Sequence, residues 1–241
     1  MRKGLTEIVF VIDRSGSMGG LESDVIGGFN GVIQKQRDVD GQVLVSTVLF
    51  DHETEVLHDR VDIKDINPMT EKDYFVRGST ALLDAVGSAI HHIGTVHKYA
   101  REEDRPENVI FFINTDGMEN SSHKYTYKKI KSMIGLEKEK FGWEFVFMGA
   151  NIDAFDVAES IGISKNRSIN YRSDRAGTSR LFEKIGEMAC CVSCCIAPEE
   201  RMERINSLVH EENEFFENKY LEKNNKYIAS LIDYIEYIDM E

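Results

Sequence analysis

Three separated stretches of the chain offer hydroxyl and carboxylate oxygens and contain no histidine or cysteine. They are residues 13–17 (Asp-Arg-Ser-Gly-Ser), residues 78–80 (Gly-Ser-Thr) and residues 115–117 (Thr-Asp-Gly). Oxygen groups of these types are the ligands that hard divalent cations such as Mg²⁺ prefer. The sequence therefore predicts a metal site that is assembled from three distant parts of the chain.

Short apolar runs precede two of these stretches and explain how they could meet. Residues 8–12 (Ile-Val-Phe-Val-Ile) lead directly into the first stretch, and residues 109–113 (Val-Ile-Phe-Phe-Ile) lead into the third. Runs of this kind are typical of parallel strands that are buried on both faces. Loops that follow parallel strands lie at the carboxyl edge of the sheet, where α/β proteins place their sites. We therefore expect the oxygen-rich stretches to converge at one edge of a sheet.

Five residues in these stretches form a known combination. The string Asp13-x-Ser15-x-Ser17, Thr80 in its Gly-Ser-Thr context and Asp116 in its Thr-Asp-Gly context occur in that order. Together they resemble the metal-ion-dependent adhesion site of a von Willebrand factor A (vWA) domain, in a stand-alone form of bacterial or phage type. All five positions of the family's pattern are present.

The resemblance implies a role for each of these residues. Ser15 and Ser17 would bind the cation through their hydroxyls, and Thr80 would bind it in the ligand-competent state. Asp13 and Asp116 would act mostly through bridging water. The expected cation is Mg²⁺, with Mn²⁺ or Ca²⁺ as alternatives, and one coordination position would stay open for an Asp or Glu side chain of a partner protein. Because few carboxylates touch the ion, it keeps the positive charge that attracts such a group.

Strand and helix patterns alternate along the chain and predict an α/β fold. We expect a doubly wound (Rossmann-like), mostly parallel six-stranded sheet with one antiparallel edge strand, helices on both faces and a C-terminal helical extension. The predicted strands are 8–12, 43–50, 52–57, 109–113, 143–148 and 168–171, and the predicted helices begin near 25, 81, 125, 153 and 178. Residues 52–57 form the antiparallel strand, because only a short turn separates them from the strand before.

The chain divides into two parts by composition. The vWA resemblance covers residues 4–196, and residues 198–241 form an acidic extension that contains no glycine and, after Pro198, no proline. Apolar residues recur there at helical spacing, which predicts one long helix or two helices broken near residues 224–225. Its apolar stripe could bury against the domain, against a second copy in a homodimer, or against another partner. A parallel coiled coil is disfavoured, because no long heptad register persists.

All four cysteines lie in one short segment of the predicted fifth helix. They are Cys190, Cys191, Cys194 and Cys195. A single helix cannot wrap four thiolates around zinc without ligands from elsewhere, and free cysteine is often a small core residue. We therefore interpret the segment as a part of the core rather than as a metal or redox site.

Overall composition excludes some classes of partner. The formal net charge is −13, which argues against binding to the nucleic-acid backbone, since that requires clustered Lys and Arg. No apolar run approaches the length that crosses a bilayer, and no signal-peptide pattern is evident near Met1. We expect no nucleic-acid or membrane partner and a cytoplasmic location.

Two enzymatic interpretations fail on missing residues. A nucleophile elbow around Ser17 would need glycine where Ser15 stands. A phosphate site at Gly16, Gly19 and Gly20 lacks the Walker lysine, and Asp13 would repel the anion.

We therefore expect a non-enzymatic, Mg²⁺-dependent protein-interaction module. The alternative is a non-catalytic subunit or adaptor of an ATPase assembly (AAA+ or chelatase-like) or of a stress- or phage-related assembly, docking through the C-terminal helices.

Overall fold

The computed structural model describes residues 1–39, 41–151, 153–194 and 197–238, with side chains described as far as residue 219. Within these ranges six strands and six α-helices form. The strands are β1 (Arg2–Asp13), β2 (Gln42–Phe50), β3 (Thr54–Asp62), β4 (Pro106–Thr115), β5 (Glu144–Ala150) and β6 (Ser168–Tyr171). The helices are α1 (Glu22–Arg37), α2 (Leu82–Tyr99), α3 (Tyr127–Phe141), α4 (Ala154–Ser160), α5 (Arg175–Ser193) and α6 (Pro198–Ile238).

The six strands form one sheet in the order β3-β2-β1-β4-β5-β6. Strand β3 pairs antiparallel with β2 at one edge, and all the other pairings are parallel. The predicted doubly wound architecture with one antiparallel edge strand is therefore confirmed. The strand order reverses between β1 and β4, and such a switch point opens a crevice at the carboxyl ends of the two strands.

Helices cover both faces of the sheet, as the apolar strand runs predict. Ile8, Phe10 and Ile12 of β1 belong to one core, under α1, α5 and the start of α6. Val9 and Val11 of the same strand belong to the other, under α2, α3 and α4. Successive side chains of a strand point to opposite faces, so a strand buried on both faces needs an unbroken apolar run.

Local hydrogen bonds explain two of the element boundaries that differ from the predictions. Strand β3 begins at Thr54 instead of residue 52, because Asp51 and Glu53 form a turn in which the Asp51 carboxylate accepts the Glu53 N–H at 2.9 Å. Helix α5 begins at Arg175 instead of residue 178, because the Asp174 side chain caps it by accepting the Gly177 N–H at 2.8 Å. Side-chain caps of this kind satisfy backbone donors that the helix leaves free.

The C-terminal extension forms one continuous helix, α6, with no break at residues 224–225. Its base packs against the domain, where Ile205 and Val209 are buried in the core beneath α5. Asn213 donates to the Ser168 carbonyl at 2.8 Å and so joins the helix to β6. The apolar side chains predicted from residue 220 onward lie outside the described side chains.

The cysteine segment falls at the end of α5. Cys191 is buried, Cys190 is partly buried and Cys194 is exposed; Cys195 and Ile196 lie outside the described residues. Burial raises the pKa of the Cys190 and Cys191 thiols, which disfavours the reactive thiolate. None of the described helices has the length and apolar character needed to span a membrane.

Candidate metal site

The crevice between β1 and β4 brings the three oxygen-rich stretches together. Asp13 ends β1 and Thr115 ends β4, and the two strands pair in parallel up to these ends. A single 3-10 turn, Gly16–Met18, follows β1 and carries the second serine of the first stretch. Thr80 lies just before α2. The sheet and one helix therefore position all the predicted site residues.

Three hydroxyl groups converge beside Gly117. The Ser15 and Ser17 Oγ atoms lie 3.1 Å apart. A Cβ atom at Gly117 would lie 2.9 Å from Thr80 Oγ1, 3.1 Å from Ser17 Oγ and 3.8 Å from Ser15 Oγ. The three hydroxyls thus face one small volume, and any side chain at position 117 would intrude on it.

Each of the two aspartates accepts hydrogen bonds with both of its oxygens. Asp13 accepts the Ser15 N–H at 2.6 Å with one oxygen and the Thr115 hydroxyl at 2.5 Å with the other. Asp116 accepts the hydroxyl of Ser17 with one oxygen and that of Ser173, at 3.0 Å, with the other. Each carboxylate is therefore oriented by the protein itself, which leaves the hydroxyls as the groups nearest to the central volume.

Burial sets the electrostatics of the site. Asp13 and Asp116 are buried, whereas Ser17 is exposed to solvent. Burial raises the pKa of Asp13 to about 6, and the charge of Asp116 adds to the rise despite opposing hydrogen bonds from Thr115 and Ser15. Two carboxylates in a buried crevice disfavour each other's ionised form. A cation beside them would offset that cost.

Thr80 is held by a loop that follows β4. Its N–H donates to the Asn120 side chain at 2.9 Å, and its carbonyl accepts the Asn120 N–H at 3.0 Å. Two residues earlier, the Gly78 carbonyl accepts the Gly16 N–H at 3.2 Å. Gly78 has φ +66°, and a Cβ there would collide with the His52 ring. Only glycine suits this position, which links the threonine loop to the serine loop.

An ionic cluster around the buried side chains of Arg14 and Asp51 holds the loops of the site together. Arg14 is fully buried, and its Nε and the Nε of Arg77 both donate to Asp51, each at 2.8 Å. Arg14 also donates to Glu55 at 2.7 Å. The Asp51 carbonyl accepts the N–H of Ala81, the residue that follows the site threonine, at 2.7 Å. Asp51 therefore connects the ends of β1 and β2 with the start of α2.

A second group of possible ligands lies in the turn after β2. Asp51, His52 and Glu53 place ligand atoms within 4.8 Å of one another. The Asp51 carboxylate already accepts hydrogen bonds from the guanidinium groups of Arg14 and Arg77, and this positive charge opposes binding of a cation. Among the described residues neither Asp13 nor Asp116 forms an ion pair with a basic side chain, so we regard the crevice as the better metal site.

Some residues that shape the site carry no sequence motif. Ser173 orients Asp116, Asn120 fixes Thr80, and Tyr74 donates its hydroxyl to the Asp13 carbonyl at 2.7 Å. Of the supporting residues named above, Asp51 alone could have been placed near the site from the sequence. It directly follows a predicted strand and so lies at the same edge of the sheet.

Comparison with known sequences gives no relative. No protein-family profile matches the chain, and no curated protein sequence matches it either.

Comparison with solved structures, in contrast, identifies vWA domains. Proximal thread matrix protein 1 from the mussel byssus, solved with a zinc-occupied MIDAS motif, matches at TM-score 0.52 and 18% identity, covering 78% of this chain and 46% of that protein. The vWF domain of the pilus tip protein Mfa5 from Porphyromonas gingivalis matches at TM-score 0.53 and 12% identity, covering 76% of this chain and 94% of that domain. Manganese-loaded TRAP protein from Plasmodium vivax matches at TM-score 0.51 and 16% identity, covering 75% of this chain and 73% of that protein.

These matches establish the fold. The chain shares its sheet and helix arrangement with vWA domains, and the identities are too low to carry more than that. The chain spans less than half of the mussel protein and nearly all of the isolated Mfa5 domain.

Proposed function

We propose that Asp13, Ser15, Ser17, Thr80 and Asp116 form an intact metal-ion-dependent adhesion site that binds Mg²⁺, with Mn²⁺ or Ca²⁺ as possible substitutes. Ser15, Ser17 and Thr80 bind the ion through their hydroxyls, and the two aspartates act on it through water. The metal then binds an Asp or Glu side chain of a partner protein. In this role the chain is a protein-interaction module of the stand-alone bacterial or phage type, cytoplasmic, with its vWA domain at residues 4–196.

The spacing of the hydroxyls is the observation that carries this proposal. Neighbouring ligands around an octahedral Mg²⁺ with bonds of about 2.1 Å lie about 3.0 Å apart. The Ser15 and Ser17 oxygens are 3.1 Å apart, and Thr80 Oγ1 faces the same volume. Ser17 can keep donating its proton to Asp116 while its oxygen lone pair binds a metal, because donation and coordination use different sides of the hydroxyl.

The arrangement of the carboxylates favours an open coordination position. Both oxygens of Asp13 and both of Asp116 already accept hydrogen bonds from the protein. A cation bound mainly by neutral hydroxyls keeps its net charge and attracts an external carboxylate. Ser17 is exposed, so an acidic side chain of a partner can reach the site from solvent.

Hydrogen bonding at the serines favours binding over catalysis. Ser17 donates to the Asp116 carboxylate, whereas in hydrolases of the Ser-His-Asp type the base that activates the serine is a histidine. In the described part of the chain no histidine is hydrogen-bonded to either serine of the site. We therefore propose a non-enzymatic role.

The relaxation rate of water protons around the Mn²⁺-loaded chain tests the open position. An exchanging water on Mn²⁺ raises this rate, and a peptide with one glutamate should lower it by displacing that water. A matched peptide with glutamine in its place is the control. Equal effects of both peptides, or no exchanging water at all, would exclude the proposed binding mode.

A second candidate function is docking of an assembly partner, such as an ATPase subunit, by the far part of α6. The helix has 41 residues, about 60 Å at a rise of about 1.5 Å per residue. A compact domain of this size is only about 40 Å across, so the helix is longer than the body on which its base packs.

Truncation after Lys219 separates this candidate from the first. The shortened chain keeps the packed residues Ile205 and Val209 and should keep its metal site. Loss of an ATPase partner, or of a homodimer in analytical ultracentrifugation, would assign a docking role to the part of the extension (residues 198–241) that lies beyond Lys219. Unchanged assembly would remove that role.

A further inference from the structure

A cleft of about 830 Å³ lies between α2 and α3, away from the metal loops. Its walls include Pro106, the first residue of β4, and Trp143, which directly precedes β5. These are the amino ends of parallel strands, whereas the metal loops follow the carboxyl ends. The cleft therefore lies at the opposite edge of the sheet, and its volume is typical of a small-molecule site.

The floor of the cleft is apolar. Trp143 and Ile90 are almost fully buried and line it, together with the partly buried Met133. The Trp143 ring stacks on Phe111 with centroids 5.4 Å apart, which fixes its orientation. Phe141, 44% exposed, lies at the mouth. Met133 and Phe141 therefore leave apolar surface open to an aromatic ring of a ligand.

The rim of the cleft is basic, in contrast to the rest of the molecule. Lys98, Arg105, Lys129 and Lys140 line it together with two histidines, and Glu137 is the one acidic residue of the described lining. The chain as a whole carries a formal net charge of −13. Among the described residues no carboxylate forms an ion pair with any of these lysines, so their charge is available to a ligand. Clustered positive charge of this kind attracts an anion.

Glu137 indicates that the ligand of the cleft carries a hydrogen-bond donor. Its Oε2 atom is buried and has no hydrogen-bond partner in the described structure, and burial raises the pKa of its carboxyl. Across the cleft, Gly94 contributes no side chain, and a Cβ there would lie 3.5 Å from Glu137 Oε1. A buried acceptor without a partner is costly, and a donor group of a ligand could satisfy it in the space that Gly94 leaves.

We infer that this cleft binds a small organic anion with an aromatic body and a hydrogen-bond donor. Its aromatic body lies against Met133 and Phe141, its anionic group faces the basic rim, and its donor binds Glu137. Binding does not require the metal, because the cleft and the metal loops lie at opposite edges of the sheet.

The dye 8-anilinonaphthalene-1-sulfonate is a suitable probe, since it combines a sulfonate, aromatic rings and an N–H group. Titration of the full chain, followed by dye fluorescence and by calorimetry, should show one saturable site. The double variant Lys129→Glu, Lys140→Glu should bind about tenfold more weakly or worse, because two attractive charges become repulsive. Lys72 is exposed and does not line the cleft, so Lys72→Glu is the control and should leave the affinity unchanged.

Two further arms make the outcome decisive. Gly94→Leu should fill the cleft and abolish saturable binding. Circular dichroism checks that this variant folds. The charge variants lie on the surface and test the site even if Gly94→Leu does not fold. A chelator should leave the affinity unchanged. No saturable binding, equal affinity in the charge variants and the control, or binding that is lost in chelator would overturn the inference.

Discussion

At the residue scale, the candidate metal site depends on one glycine as much as on its oxygen groups. The space enclosed by the hydroxyls of Ser15, Ser17 and Thr80 exists only because Gly117 has no side chain. Asp13 accepts the Ser15 backbone N–H, and Asp116 accepts the Ser17 hydroxyl. Position 117 therefore offers a way to close the site without removing any of the proposed ligands.

Gly117→Ala should weaken Mg²⁺ and Mn²⁺ binding while the fold persists. Its Cβ would lie 2.9 Å from Thr80 Oγ1, and crowding of this kind costs about 1–3 kcal/mol, or roughly tenfold or more in affinity. Isothermal titration calorimetry measures the change. Gly135→Ala is the control, since a Cβ there meets nothing within 4 Å; equal affinities of the two variants would show that the enclosed space is not the metal site.

Asp51→Asn should destabilise the protein in a pH-dependent way. Burial alone would raise the pKa of Asp51, but hydrogen bonds from Arg77, the Glu53 backbone and Arg14 outweigh it and lower the pKa. The ionised carboxylate therefore stabilises the fold above its unfolded-state pKa of about 3.9, and this contribution is lost as the pH falls through the lower folded-state value.

Urea unfolding at two pH values measures this effect. The variant should lose about 3 kcal/mol at pH 7, because it removes the buried charged partner of Arg14 and leaves only the exposed Glu55. The difference from the unmodified chain should shrink towards pH 3. A difference that stays constant or grows as the pH falls would contradict the assigned role.

The sequence predicted the five candidate ligands but not the residues that hold them. Oxygen-bearing residues at short fixed spacing, such as Asp13-x-Ser15-x-Ser17, can be recognised without a structure. Ser173 contacts Asp116 across 57 positions of the chain, and the path of the loop after β6 decides that contact. Hydrogen bonds between loops depend on the exact course of each loop, which local residue preferences do not determine.

At the scale of elements, strand and helix types were predictable because their causes are local. The apolar runs of β1 and β4 and the helical spacing of α1 determine these elements. Boundaries shifted where a side chain caps or turns the backbone, as Asp174 does at α5 and Asp51 at β3. The side on which the base of α6 packs was left open by the sequence, since an apolar stripe does not identify what covers it.

Ile205→Ala tests how firmly the base of α6 belongs to the domain. Ile205 is fully buried in the core beneath α5, so its truncation should cost about 3 kcal/mol of unfolding free energy. Glu203→Ala, at an exposed position of the same helix, should cost less than about 0.5 kcal/mol. Urea denaturation measures both changes in unfolding free energy. Equal, small losses in the two variants would mean that the helix base is not packed into the core.

At the scale of the whole molecule, the sheet separates two proposed sites. The oxygen-lined crevice lies at the carboxyl edge, between β1 and β4, and the basic cleft lies at the amino edge, between α2 and α3. Their preferences are opposite, since one suits a cation and the other an organic anion. A chelator should therefore affect the first site alone.

Titration of the full chain with Mn²⁺ and Mg²⁺ in a calorimeter tests the central claim most directly. The unmodified chain should bind one ion, Ser15→Ala with Ser17→Ala should abolish binding, and His52→Ala with Glu53→Ala should preserve it. No binding of either ion by the unmodified chain, or binding that survives the serine changes and is lost with His52 and Glu53, would contradict the assignment of the metal to the crevice.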